Sequence, residues 1–141
     1  MADIRDADRV IADIERKIRE SITKTVAQTA QYAESKLSEL FKAEGRTLNV
    51  EWSQLKEAYL KQKIKKGFSE KILHKTTTLA QSFTSQVKTF EAAVGTPVWY
   101  ASFHEHGTRR MPARAFMKPV FEHVLSSGII GRLFKEVIKG C

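Results

Sequence analysis

Cysteine is almost missing from this chain: of 141 residues the only one is Cys141, the last. It cannot close an intrachain disulfide, so the composition fits a reducing compartment such as the cytoplasm. Long apolar runs are missing as well. The longest uncharged stretches, residues 76–87 and 92–103, hold 12 residues each, whereas a membrane helix needs about 20. The N-terminal Met-Ala-Asp-Ile-Arg-Asp has no basic region followed by an apolar one, so no secretory signal is expected. The seven glycines are dispersed, and no P-loop, dinucleotide fingerprint or G-x-S-x-G elbow appears.

Metal chemistry finds little to work with. His74 and His123 are isolated, and no H-E-x-x-H or paired-cysteine spacing exists. His104 and His106 flank Glu105, but two positions apart on a helix point about 200° away from each other. No catalytic residue, metal or cofactor is expected, and nothing argues for an enzyme.

What is present is a basic, otherwise ordinary globular composition. Lys and Arg number 24 against 16 Asp and Glu, a net charge of +8, with 42% hydrophobic residues. The length favours one domain over residues 1–141, large enough to need no staple. Residues 1–70 carry 14 basic and 12 acidic side chains, and residues 71–141 carry 10 and 4. The C-terminal half could meet nucleic acid, an acidic protein or an anionic surface.

The first 43 residues read as helix. Ile11, Ile14, Ile18, Ile22 and Val26 keep one face of a 3.6-residue repeat, and Ala30, Ala33, Leu37, Leu40 and Phe41 continue it. Asp3, Asp6 and Asp8 suit the helix start, and Gly45 can stop it. Unbroken, such a helix would be about 60 Å long, more than a compact domain of this size can cover. Either it kinks at the weak formers Thr23, Thr25 and Thr29, or it overhangs and meets another chain.

A second helix is predicted over residues 50–65. Asn49 would cap it, Trp52, Leu55, Tyr59 and Leu60 would form its apolar face, and Gly67 would end it. Lys61, Lys63, Lys65 and Lys66 read as a solvated face complementing the helix dipole. In residues 78–95, Leu79, Phe83 and Val87, then Phe90, Ala92 and Val94, predict a β-hairpin. Thr96-Pro97 predicts a short helix over 98–106, broken by Gly107. Residues 108–115 read as a loop. A helix then begins near 117–119 with Met117, Val120, Phe121, Val124 and Leu125 as its face, and a last amphipathic helix runs through Ile129, Leu133, Phe134 and Val137. The fold class is α+β: a small antiparallel sheet packed with helices behind a long N-terminal amphipathic helix.

The loop at 107–116 is the richest stretch. Arg109, Arg110, Arg114 and Lys118 stand close to His104, Met111 and Phe116, with Gly107 and Pro112 shaping the chain. Arginine forks suit phosphates, and arginine beside aromatic anchors also suits a subunit interface. The first use would make this a small basic DNA-binding protein, although no recognition motif supports it.

Tyr100-Ala101, His104-Glu105, Gly107-Thr108, Pro112-Ala113-Arg114 and Phe116 resemble a signature of small tailed-bacteriophage proteins, the virion-morphogenesis, tail-completion and neck components. Upstream, Trp52, Leu55, Lys61, Ile72-Leu73, Thr76, Leu79 and Ser82 resemble a second stretch of the same group, so the likeness covers about residues 50–125. Thr77, His106 and Ala115 depart from the pattern, standing where the group has glycine, an aromatic residue and proline.

The resemblance implies a structural protein of the virion neck or head-proximal tail, assembled in the host cytoplasm as a homo-oligomeric ring, a hexamer by the family's habit. It implies neck, connector or tail proteins as neighbours, and genomic DNA nearby in the channel. On that basis Tyr100 and Phe116 would anchor an interface, Arg109, Arg110 and Arg114 would meet acidic surfaces, and His104, Glu105, Gly107, Thr108 and Pro112 would complete it. Replacing Arg114 or Phe116 should then leave a folded protein that no longer joins heads to tails.

Overall fold

The computed structural model of the protein describes residues 4–48, 50, 52, 56–67 and 78–140. The frame is set by α1 (Ile4–Lys42), 39 residues without interruption, about 58 Å at ~1.5 Å per residue. Of the two alternatives, a break at the threonines or an overhang, no break is seen. Ser21 Oγ donates to Lys17 O, Thr25 Oγ1 to Ser21 O and Thr29 Oγ1 to Thr25 O, each at 2.8 Å. The hydroxyls are thus satisfied within the helix itself. Ser21 and Thr25 can therefore be buried.

The helix overhangs instead. Leu37, Leu40 and Phe41 are buried, whereas Val10, Ile11, Ile14 and Ile18 on the N-terminal half remain 50–58% exposed. At the other end Gly45, at φ +92°, donates its N–H to Leu40 O at 2.9 Å. A Cβ there would lie 2.6 Å from Val50 O, so this stop requires glycine. A short 3₁₀ turn follows at Arg46–Leu48.

α2 (Glu57–Lys65) is shorter than the spacing predicts. Val50 and Trp52 precede it in non-helical chain, and Lys56 is extended at φ −61°, ψ 140°. Trp52 is held there by tertiary contacts: its ring meets Phe41 edge-on at 5.5 Å, and its Nε1–H donates to Ala115 O at 2.8 Å. Gly67 closes α2, donating to Ile64 O at 2.9 Å. Lys63, expected on a solvated face, is buried, while Lys61, Lys65 and Lys66 are exposed. The expected cap Asn49, together with Leu55, Ile72, Leu73, Thr76 and Thr77 of the upstream motif, lies outside the described residues, as do Asp3, His74 and Cys141.

A single helical turn, α3 (Thr78–Gln81), leads into β1 (Thr84–Val87) and β2 (Ala92–Gly95). The strands pair antiparallel, with Thr84 opposite Gly95 and Val87 opposite Ala92. The hairpin is as expected, but Leu79 belongs to α3. Its spacing of four from Phe83 suits a helical turn as well as a strand. Two four-residue strands are marginal alone, and α1 supports them. Thr23 Oγ1 lies 2.9 Å from both Arg19 O and Thr89 O, and the Arg19 guanidinium sits 6.0 Å over the Phe90 ring.

The chain ends in α4 (Ala101–His106), α5 (Met117–Ser126) and α6 (Ile129–Lys139). α4 begins three residues later than predicted. Thr96 Oγ1 accepts from Val98 N at 3.1 Å and Val98 O from Ala101 N at 3.2 Å, so residues 98–100 form a turn. Only half the expected α5 face is inside: Val120 and Val124 are buried, Phe121 and Leu125 exposed. α5 is pinned to α1 by Tyr32 Oη and His123 Nε2 at 2.8 Å. α6 packs along α1 without a fully buried residue. Phe41 is the hub of the core, with ring centroids 5.5–5.6 Å from those of Trp52, Phe83 and Phe116. The fold is α+β, mostly helical, with one two-stranded sheet.

Candidate functional site

The loop at 107–116 is built outward from two helices. Ala101, buried, seats α4 in the core. At the end of α4, Gly107 donates to Phe103 O at 2.8 Å and takes φ +75°, ψ 174°, a region essentially confined to glycine. A Cβ there would lie 2.8 Å from Ala113 N. The chain then closes a tight turn in which Thr108 N donates to Met111 O at 2.8 Å and Met111 N to Thr108 O at 3.3 Å. Arg109 and Arg110 are its exposed tip. On the way back, Arg114 N donates to His104 O at 2.7 Å, tying the loop to α4.

The start of α5 is closed by a residue of α4. Glu105 Oε2 accepts from Phe116 N (2.8 Å) and Met117 N (2.9 Å), and Oε1 accepts from Lys118 N (3.0 Å). The next residue is Pro119, which has no N–H. Every free donor of the first turn is thereby met, by an anion at the positive end of the helix dipole.

The ten residues expected at an interface therefore divide. Thr108, Arg109, Arg110 and Pro112 are exposed. Phe116 and Arg114 are buried. Phe116 is a core residue, tilted against Phe41 at 5.5 Å and edge-on to Phe83 at 5.5 Å, and Arg114 is enclosed within the fold of this chain. Glu105 and Gly107 hold the loop's shape. Tyr100 and His104 lie half-buried between, in edge-to-face contact at 5.9 Å. Burial, and secondarily the positive charge of Arg114, pushes the His104 imidazolium below its ordinary value. His104 Nδ1 is buried without a hydrogen-bond partner. Burial also lowers Arg114, against the opposing influence of Tyr59.

Two surfaces were not foreseen. Trp99 is 78% exposed and meets Tyr100 and Phe103 edge-on at 5.5 and 5.9 Å; Phe103 is itself exposed. Adjacent Trp99 and Tyr100 were the available signal, since neighbouring large aromatics rarely share one core face. The second is an apolar groove of about 440 Å³ between α1, the hairpin, α5 and the start of α6, lined by Ala30, Ala33, Ala93, Val94, Phe121 and Ile130 among others. Among the described residues, no three His, Cys, Asp or Glu side chains gather as a metal site would need, and no helix is long and apolar enough to cross a membrane.

Comparison with known proteins gives no significant match to a curated protein or to a solved structure. The model of one family does match, over residues 2–124, taking in α1, the hairpin, α4, the loop and most of α5 and leaving out α6. The chain belongs to the phage virion morphogenesis family, and its role lies in the assembly of phage virions.

Proposed function

We propose that this protein is a non-enzymatic, ring-forming neck or tail-completion component that joins the tail to the head. Its neighbours are further copies of itself and other neck, connector or tail proteins, with genomic DNA close by in the channel. The observation that carries this reading is the presence of two unlike exposed surfaces at the two ends of α1. One is the bare isoleucine stripe of the overhang. The other is the Arg109–Arg110 tip with Trp99 and Phe103, hung from Phe116 where it packs on Phe41. Ile18 and Phe41 are about 35 Å apart along the helix axis at ~1.5 Å per residue. A ring that also joins other bodies requires each chain to carry more than one contact surface, and arginine with exposed aromatics is the composition of an interface hot spot.

Absolute mass by light scattering, at two salt concentrations and with and without duplex DNA, tests the reading. A discrete multimer, six chains by expectation, that ignores DNA supports it. A monomer that binds DNA at low salt and releases it at high salt supports the basic DNA-binding role instead, since phosphate contacts release counterions.

A further inference from the structure

The ring reading leaves open which surfaces mate, and the groove beside α1 answers that on the same premise. Its lining is apolar in effect. Thr25, Thr29 and Glu91 border it, but the threonine hydroxyls are spent on carbonyls of their own helix and the Glu91 carboxylate pairs with Lys88 at 3.4 Å, so a polar ligand would find few open partners there. Its floor includes Ala30 and Ala33, small residues that leave room for an inserted ridge, and Phe121, 64% exposed, stands at its rim. The same helix face that floors the groove continues toward the N-terminus as the bare ridge of Ile11, Ile14 and Ile18. One chain thus displays both a ridge and a groove of matching chemistry.

We infer that the overhanging half of α1 from one copy seats in the α1–hairpin–α5 groove of the next. Charge favours this occupant. The first 20 residues hold six acidic and five basic side chains, and the remaining 121 hold ten and nineteen. Two bodies repel each other, whereas the overhang meets a basic body with no such penalty. Area sets the terms of that contact. A 15-residue overhang about 22 Å long and ~10 Å wide presents roughly 220 Å² in projection, well below the ~800 Å² per partner of a stable pair. One ridge-in-groove contact is thus too small to hold two chains alone, and closure of a ring, which gives every chain two such contacts, is what compensates. Pairing ridge to ridge would give a closed dimer with both grooves empty.

Disulfide trapping tests the inference. In a Cys141→Ser background, Ile14→Cys and Ala93→Cys are introduced singly, mixed and oxidised. Both positions are exposed, so circular dichroism and thermal unfolding should match the parent. A disulfide needs Cα atoms about 4.4–6.8 Å apart. Within one chain the pair is out of range, because Ile14 lies nine residues before Thr23, which already touches the hairpin tip at Thr89. The expected result is a mixed Ile14→Cys/Ala93→Cys dimer, and a ladder of cross-linked multimers when both substitutions share one chain. A disulfide formed only between two Ile14→Cys chains would overturn the inference in favour of ridge-to-ridge pairing. A multimer in light scattering that forms neither bond would overturn it while leaving the ring standing. A monomer at every concentration would remove both.

Discussion

The Glu105 carboxylate accepts the amide N–H of Phe116 at 2.8 Å, across eleven residues of sequence. One end of this contact is the floor of an exposed arginine turn, and the other is the most buried aromatic of the C-terminal half. Core packing and the surface loop are therefore coupled through a single side chain. Glu105→Ala removes the cap of α5, and stability should fall by about 1–2 kcal/mol, read from the midpoint of urea unfolding at constant slope. Glu105→Gln keeps an acceptor but loses the anion, and should fall between the parent and Glu105→Ala.

Phe116 and Phe121 lie five residues apart on opposite sides of the fold's boundary. Phe116→Ala should cost about 3–5 kcal/mol, the range for a buried phenylalanine, because Phe116 packs on Phe41 and Phe83. Phe121→Ala should stay within roughly 0.5 kcal/mol of the parent, as an exposed position does. Thermal unfolding of both variants checks this. Equal losses would contradict the placement of the core.

The same substitution should act with opposite sign at two glycines. Gly107→Ala faces both a forbidden backbone region and a contact at 2.8 Å with Ala113 N, a destabilisation of about 1–3 kcal/mol. Gly131 sits inside α6 with open space around it, so Gly131→Ala should stabilise by roughly 0.5–1 kcal/mol. Chemical denaturation of the two variants reads the difference directly.

His104 gives the fold a pH dependence. Its folded value lies below the ordinary 6.5, so between the two the unfolded chain binds more protons and stability rises with pH. The contribution is complete above about 6.5 and is lost as pH falls below it, until the folded imidazole itself protonates. The unfolding temperature should drop on acidification from pH 7 toward 5, and His104→Gln should flatten that part of the profile. An unchanged slope in the variant would assign the effect elsewhere.

Periodicity made α1, the hairpin and the last two helices legible, because apolar spacing is a property of the local sequence. What it could not reveal depends on partners distant in the chain. Trp52 fits a helical stripe, yet Phe41 and Ala115 O hold it in coil. Thr23, Thr25 and Thr29 read as a weak point, yet the helix continues through them with the hairpin docked at Thr23. The loop was recognisable from its motif, but the motif mixes two jobs. Glu105, Gly107, Arg114 and Phe116 build the loop from within, while Arg109 and Arg110 stand outside it. Length alone raises the overhang only as one of two alternatives, the other being a kink. The groove that complements it was not foreseen, since its walls come from α1, the hairpin, α5 and α6.

The most direct measurement of the account is genetic complementation of the phage whose copy of this gene is disrupted. Electron microscopy of the lysate should show full heads and finished tails unjoined, with wild-type protein restoring joined particles. The paired variant Arg109→Glu/Arg110→Glu changes only exposed positions, so it should fold and melt like the parent, yet leave heads and tails apart. Joined, infectious particles at wild-type frequency with that variant would contradict the loop's part in assembly. Joined particles in the absence of the protein altogether would contradict the proposal that it joins them.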